Sequence, residues 1–222
     1  MRTLAILTAL LAWVAHAQAQ DTLLTNKQEM HRIQQDPKAY IARLENPTRD
    51  AYQKPDAVVK ALQITPGEVI ADIGAGSGYF TFRLAEAVGK SGRVYAVDVN
   101  ADMVRHLTRR ARDTRALNVV PVLCAPDDPL LGDASVDRFF ICDTWHHIEG
   151  HPHYLALMKK MLKPGGQVVM VDFKKEKTPV GPPIEMRIAR ADLVQEMESN
   201  GFKLAAEHKI LDHQYFLIFT VR

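Results

Sequence analysis

Cysteine is scarce in this sequence: Cys124 and Cys142 are the only two in 222 residues. No CxxC spacing occurs, so nothing points to a cysteine metal site, and two buried thiols are expected rather than a disulfide, because both cysteines sit in apolar runs that read as strands. An excess of charge of either sign is also lacking. The 28 Lys and Arg against 26 Asp and Glu give a formal net charge of +2, too small for the concentrated basic field that nucleic acid or anionic lipid requires. No face interleaves aromatic and basic residues in the manner of RNA- or DNA-binding surfaces. No apolar run reaches the ~20 residues of a comfortable membrane span. Internal repeats and low-complexity tracts are absent. What remains is an ordinary globular composition, 47% hydrophobic and 24% charged, and a length that suits one α/β domain with a short extension.

The beginning of the chain has a different character. In "MRTLAILTALLAWVAHAQAQ" one early charge, Arg2, precedes an apolar run from Leu4 to Val14, and the small residues Ala15, Ala17 and Ala19 follow. This is the layout of a secretory signal peptide with an Ala-x-Ala cleavage site. Residues 1–19 are therefore expected to be a signal peptide and the protein to be periplasmic or secreted, with no membrane-spanning helix in the mature chain; an uncleaved membrane anchor is the alternative. Residues 20–53 read as a polar helical extension or lid. Residues 54–222 read as the folded domain.

Within that domain strands and helices alternate. "EVIADIG", "GRVYAVDV", "NVVPVLC", "SVDRFFICD" and "QVVMVDF" are expected strands. Between them lie helices in "YFTFRLAEAVG", "ADMVRHLTRRARD" and "HYLALMKKMLKPGG", the last closed by its Pro-Gly-Gly turn. A further helix, "RADLVQEMESNGF", precedes two closing strands, "KLAAEHKIL" and "QYFLIFTV", joined by a short turn at Asp212–His213. Such alternation implies a parallel sheet covered on both faces, with an antiparallel hairpin at one edge. Ligands of such sheets bind at the carboxyl ends of the strands, where strand order reverses. The loops after Asp72, Asp98, Cys124, Asp143 and Asp172 are expected at one rim.

The loop "ADIGAGSGYF" indicates what that rim holds. Gly74, Gly76 and Gly78 alternate, and Asp72 stands two places before the first. The dinucleotide fingerprint is G-x-G-x-x-G; here its third glycine position holds Tyr79, which disfavours a nicotinamide oxidoreductase. Asp72 would repel a pyrophosphate and attract an ammonium group. Asp98 closes the second strand, where an acid accepts hydrogen bonds from ribose hydroxyls. A nucleoside with a cationic amino-acid tail and no phosphate satisfies both acids, and S-adenosylmethionine is such a molecule.

On these residues the chain resembles the class I S-adenosylmethionine-dependent methyltransferases. "ADIGAGSGYF" resembles their first motif, "VYAVDVN" their acidic second, "CAPDDPLL" their adenine loop, "CDTWHHI" the loop after the fourth strand and "LKPGGQVVMVDF" the turn and fifth strand. The resemblance implies a Rossmann-like, doubly wound, seven-stranded α/β sheet of order 3-2-1-4-5-7-6 with the last strand antiparallel. It implies that Asp72, Gly74, Ala75, Gly76 and Gly78 hold the methionine part of the cofactor, that Asp98 holds ribose, that Val99 packs on adenine, that Asp127 (or its neighbour Asp128) accepts from the adenine amino group, and that Asp143 lines the methionine and substrate side.

Methyl transfer from a sulfonium mainly requires alignment and exclusion of water, and a base only where the acceptor loses a proton. His146 is the candidate base. His147 and Tyr79 are candidate substrate or closing residues, and Tyr52 with Gln53 a candidate lid. The four histidines of "CDTWHHIEGHPHY" are not read as a metal site, and no metal is expected. Two cysteines are too few for thiolate-based metalloid methylation. A small-molecule acceptor is expected. The rival reading from a different class is an exported nucleoside-type binding protein that keeps the fold without turnover.

Overall fold

Asp72 interrupts an otherwise apolar run, Val69–Ile73, and that run forms β1 at the centre of the sheet. The structure is a computed structural model that describes residues 36–222. The expected signal peptide and the extension as far as residue 35 lie outside the described residues. Ile41–Arg222 make up one compact unit. Of the unit that ends at Tyr40, the described part is the first turn of helix α1 (Pro37–Leu44), where Asp36 Oδ1 accepts from the Ala39 amide at 3.0 Å.

The remaining elements follow in chain order: α2 (Arg49–Gln53), α3 (Pro55–Ala61), β1, α4 (Thr81–Val88), β2 (Arg93–Asp98), α5 (Ala101–Asp113), β3 (Val119–Leu123), β4 (Val136–Cys142), α6 (His151–Met161), β5 (Leu162–Phe173), α7 (Arg190–Ser199), β6 (Phe202–Glu207) and β7 (Gln214–Val221). One turn of 3₁₀ helix, Trp145–His147, follows β4, and another, Ile184–Met186, precedes α7. The seven strands form one sheet of order β3-β2-β1-β4-β5-β7-β6. β1 to β5 pair in parallel, and β7 runs antiparallel to both β5 and β6.

Alternation along the strands sends side chains to two cores. Ile70, Val94, Ala96, Phe140, Val169 and Phe216 pack with α3, α4 and α5 on one face. Ala71, Val97, Phe139, Ile141, Met170 and Leu217 pack with α6 and α7 on the other. The chain moves outward from β1 to β2 and β3, then returns to start β4 on the opposite side of β1. Strand order therefore reverses between β1 and β4, which opens the crevice at their carboxyl ends.

Two expectations about element ends change. The Pro-Gly-Gly segment is not a turn outside the sheet: α6 stops at Met161, and β5 begins at Leu162, which pairs with Val136 before a register shift at Val136/Arg138. Gly165 and Gly166 lie in that irregularity, between the pairs Val136 with Leu162 and Arg138 with Gln167. The sixth strand ends at Glu207 rather than Leu211, after a register shift at Leu204/Ala206, and the His208 ring packs 4.6 Å from that of Phe216.

The loop after β5, with its "KKEK" and "VGPP" segments, is organised by Arg187, a buried residue. Its guanidinium donates to the carbonyls of Lys174 (3.1 Å), Glu176 (2.9 Å), Val180 (3.3 Å) and Pro182 (2.8 Å) and to Thr178 Oγ1 (2.8 Å). It also lies 5.1 Å over the Phe173 ring. A planar fork of five N–H donors serves this purpose where a lysine would not.

Cys124 follows β3 and Cys142 closes β4; both are half-buried free thiols. Burial, the larger cause, and neighbouring acids push Cys124 up to about 11 and Cys142 well above the usual thiol range. Neither thiol is a ready nucleophile.

Candidate active site

The glycine loop folds back across the sheet at once. The amides of Gly74 and Ala75 both reach the Val97 carbonyl, at 2.8 and 3.1 Å, and the Gly76 amide donates to Asp98 Oδ2 at 2.8 Å. Gly74 has φ +71°, and a Cβ there would lie 2.3 Å from the Thr144 side chain. The loop after β1 thus lies directly against the loop after β4. Gly78 has φ +88°, and a Cβ would strike the Phe82 ring at 2.6 Å, so this glycine seats α4 on the loop.

Two acids frame this loop. Asp72 is buried at the end of β1 and accepts from Thr81 Oγ1 at 2.5 Å. Burial raises it to about 7, the Thr81 hydrogen bond opposes the rise, and the charge of Asp98 adds to it. Asp98 is also buried and raised, chiefly by burial, with the amides of Asn100 and Gly76 pulling it back. Each Asp98 oxygen accepts one backbone N–H, Oδ1 from Asn100 at 2.8 Å and Oδ2 from Gly76. A carboxylate oxygen has a second lone pair, so each retains capacity for a hydroxyl donor. Leu123, next to Asp98 in the β2–β3 register, and Val99 are large apolar side chains left exposed at this rim.

Asp127 is exposed on the following loop. Its neighbour Asp128 is turned into that loop, where Oδ1 accepts from the Leu130 amide at 2.7 Å. The Ser77 hydroxyl within the glycine loop is buried without a hydrogen-bond partner.

A second acidic pair occupies the far half of the crevice. Asp143 follows β4 with φ +51°, a strained conformation for a residue with a side chain. Its carboxylate accepts from Gln53 Nε2 and from Gln214 Nε2, both at 2.7 Å. Burial and then Asp172 raise it to about 7, against Arg49, His146 and the Gln214 hydrogen bond. Asp172, on β5, accepts from the Phe173 amide at 2.7 Å and holds His146 Nδ1 at 2.9 Å from its Oδ2. Both side chains of that pair are 3% exposed, so the contact is dry. The exposed His147 ring lies 4.2 Å from that of His146.

The expected lid residues sit on α2. Gln53 is buried; it bonds Asp143, approaches Cys142 Sγ at 3.2 Å and accepts from Arg49 Nε at 2.8 Å. The Tyr52 ring is 5.9 Å from Phe173, and its phenol is raised by burial, with Arg49 opposing. Tyr79 is buried, gives its hydroxyl to Asp50, and carries the Arg49 guanidinium 4.1 Å over its ring. Tyr79 is thus the post that ties α2 down.

His151 stays out of the crevice. It stacks 4.2 Å from buried Trp145 and bonds Glu196 at 2.7 Å, which joins the β4 loop to α7. His153 is exposed. Among the described residues no group of three or more His, Cys, Asp or Glu could hold a metal ion, and no helix is long and apolar enough to cross a membrane.

Sequence reasoning did not identify Gln214, Arg49 or the Asp172–His146 contact. Gln214 gives no signal because it begins a strand. β7 is antiparallel, so its first residues pair with the last of β5, Gln214 with Phe173 and Tyr215 with Asp172, and this brings an amino end to a rim otherwise made of carboxyl ends.

Such a rim fits a nucleoside with a cationic tail. Asp98 retains lone pairs for ribose hydroxyls, and apolar side chains stand beside it. The buried acids Asp72 and Asp143 would be relieved by positive charge and burdened further by phosphate.

A methyltransferase-domain family model matches residues 70–166. The chain is 30% identical over 118 residues to the ubiquinone/menaquinone biosynthesis C-methyltransferase UbiE of Hydrogenovibrio crunogenus, covering 53% of this chain and 46% of that protein. This chain spans less than half the length of the first curated relatives it matches. A solved SAM-dependent methyltransferase from Aquifex aeolicus superposes with a TM-score of 0.80 at 26% identity, covering 84% of this chain and 99% of the other. The fold is also that of the 1,6-didemethyltoxoflavin-N1-methyltransferase of Burkholderia thailandensis, solved with 1,6-didemethyltoxoflavin and S-adenosylhomocysteine bound (TM-score 0.60, 19% identity, 92% and 88% of the two chains). The sheet order, the D-x-G-x-G-x-G loop and these likenesses agree: residues 70–166 are a methyltransferase domain, and the sheet has the fold of the class I S-adenosylmethionine-dependent methyltransferases.

Proposed function

We propose that the protein transfers the methyl group of S-adenosylmethionine to a small-molecule acceptor by in-line displacement, with His146 as the proton acceptor. The observation that carries this reading is the pairing of a poised ribose acid, Asp98, with a second, dry polar cluster across the glycine loop. The cofactor supplies an already activated methyl on a positively charged sulfur. The chain does the rest. Asp98 orients the ribose, and Val99 covers the adenine beside Asp127. Asp72 and the loop Gly74, Ala75, Gly76 and Gly78 meet the methionine end, and Asp143 lies between it and the acceptor. Tyr52, Gln53 and the α2 turn shut out water, and His147 lies at the mouth. Alignment in such an enclosure is the main source of rate. The UbiE relative is named a C-methyltransferase and the toxoflavin enzyme an N1-methyltransferase, so likeness to them leaves the methylated atom open.

Calorimetry of the protein with S-adenosylmethionine, S-adenosylhomocysteine and NAD tests this reading. Binding of the first two and not the third is expected. Asp98→Ala weakens S-adenosylmethionine by about 1.5–3 kcal/mol, the range for hydrogen bonds to a charged group. Tight NAD binding, or unchanged affinity in a folded Asp98→Ala variant, counts against it. Binding without turnover of any acceptor is what the nucleoside-binding alternative requires.

We further propose that the protein works outside the cytoplasm. Support comes from the first twenty residues alone, with Arg2, the Leu4–Val14 run and the alanines that follow. Mass spectrometry of protein from its native envelope is expected to give an N-terminus between Gln18 and Asp21. Intact Met1 on a soluble cytoplasmic form refutes it.

A further inference from the structure

We infer that residues 44–54 form a strap across the cofactor crevice, hinged at Lys54 and held shut at its outer end by an ion-pair latch between Glu45 and Arg110 of α5, and that this latch sets how fast the cofactor enters and leaves. The inference rests on the methyltransferase reading and adds to it the group that times cofactor exchange.

The strap starts on one wall of the crevice and ends on the other. At its outer end Leu44 sits on the glycine loop: a Cβ on Gly76 would lie 3.0 Å from Leu44 Cδ1. At its inner end Gln53 bonds Asp143, on the loop after β4, at 2.7 Å. Strand order reverses between β1 and β4, so a segment that joins their two loops crosses the way into the crevice. Arg49 braces the span: its guanidinium donates to the Leu44 carbonyl and, through Nε, to Gln53 Oε1. The inner end is built as a hinge. Lys54 stands between α2 and α3 with φ +43° and ψ +54°, a left-handed conformation in a residue that carries a side chain. Its Nζ is pinned to the Ile210 carbonyl at 3.0 Å and to Asp212 Oδ2 at 2.9 Å, and Pro55 and Val58 bury α3 just beyond it. The anchored side is thus α3, and the free side is the strap.

The outer end is held by charge. Arg110 Nη1 donates to Glu45 Oε1 at 2.8 Å and to the Ser77 carbonyl of the glycine loop at 3.0 Å, so one guanidinium grips both the strap and the loop beneath it. The Phe82 ring, 4.3 Å from that guanidinium, supports it, and His106 Nε2 lies 3.3 Å from the same Glu45 oxygen. Every partner in the latch belongs to the protein, and none is a cofactor atom. The latch therefore closes the empty and the occupied crevice alike. A contact with no preference between the two changes the rates of entry and exit together and leaves affinity as it was. The Asp50–Tyr79 and Gln53–Asp143 hydrogen bonds also hold the strap, but they reach residues of the site itself. Glu45 is the member that can be neutralised without touching that site.

The test measures S-adenosylhomocysteine binding to the immobilised full chain by surface plasmon resonance. That ligand carries no net charge at neutral pH, so added salt acts on the protein's own ion pairs rather than on the ligand's approach. Glu45→Gln is expected to raise the association and dissociation rates together by about 3- to 5-fold, with Kd unchanged. The size is what a partly exposed pair supplies, the two side chains being 33% and 37% exposed. In the parent both rates are expected to rise between ~50 mM and ~500 mM NaCl, and in Glu45→Gln to rise less. Unchanged rates in a folded Glu45→Gln variant overturn the latch. Faster dissociation with an unchanged association rate makes Glu45 a source of affinity and overturns it as well. If Glu45→Gln fails to fold, the parent decides: two rates that rise together with salt uphold the latch, and rates that ignore salt overturn it. Failure of the parent to bind S-adenosylhomocysteine at all overturns the methyltransferase reading and this inference together.

Discussion

Replacing His146 by glutamine lowers turnover by about 10²-fold at saturating cofactor and leaves the affinity for S-adenosylmethionine nearly unchanged. Glutamine approximates the imidazole in size and can keep a hydrogen bond to Asp172, so the loss is of basicity rather than of packing. A base acts on the acceptor proton in the transition state and makes no demand on the bound sulfonium, which is why kcat falls and cofactor affinity does not. Asp98→Ala gives the reverse pattern, with affinity lost first. In the parent the rate rises with pH as imidazolium gives way to imidazole, and the glutamine variant loses that limb. The measurement is kcat against pH for both proteins on one acceptor. A glutamine variant that turns over like the parent makes His146 a structural partner of Asp172 and leaves alignment to carry the chemistry.

Cofactor affinity itself depends on pH, by a comparable amount. Asp72 is raised to about 7 by burial, against the Thr81 hydrogen bond and with the added charge of Asp98. A bound cation favours its ionised form, so its acidity is restored on binding and a proton leaves. Affinity therefore falls as pH drops below about 7, by about 10²-fold at pH 5 for a group that must first ionise. Asp143, also raised to about 7 by burial and Asp172, contributes in the same direction if the cation reaches it. Above a pH of about 7.7–8.0 a free α-amino group loses its own charge, so the rise does not continue.

The empty domain reports the same acid from the other side. Its folded state holds at Asp72 a proton that the unfolded chain has released, so this contribution to stability is complete below pH ~4 and is lost as pH rises through about 7. The thermal shift given by saturating S-adenosylmethionine is accordingly larger at pH 7.5 than at pH 5. Titration calorimetry across that range, in buffers of different ionisation enthalpy, counts the protons released, and Asp72→Asn removes one of them. An affinity flat from pH 5 to 7.5 removes Asp72 from the cofactor site.

The two halves of the crevice differ in how far the sequence by itself determined them. The glycine loop and Asp98 belong to one β-loop-α-β stretch, in which 72 to 98 are fixed by local turn geometry and by the pairing of adjacent strands. Strand and helix periodicity likewise determined the seven strands and the side of the sheet where ligands bind, because alternation and loop glycines are local properties of the chain. Tertiary structure alone decided the far half. Gln53, Asp143, His146, Asp172 and Gln214 are up to 161 positions apart and meet only because β4, β5 and β7 end or begin at one rim. The antiparallel insertion of β7 turns Gln214 and Tyr215 toward an edge that a parallel strand would have denied them. The same is true of Tyr79: its place after the last glycine suggested a closing residue, yet the partner that claims its hydroxyl, Asp50, lies 29 positions earlier on a helix whose location no local pattern reveals. Short-range order fixes where a chain bends and what its loops can accept; long-range pairing decides which distant acids share one rim and which histidine bonds to one of them.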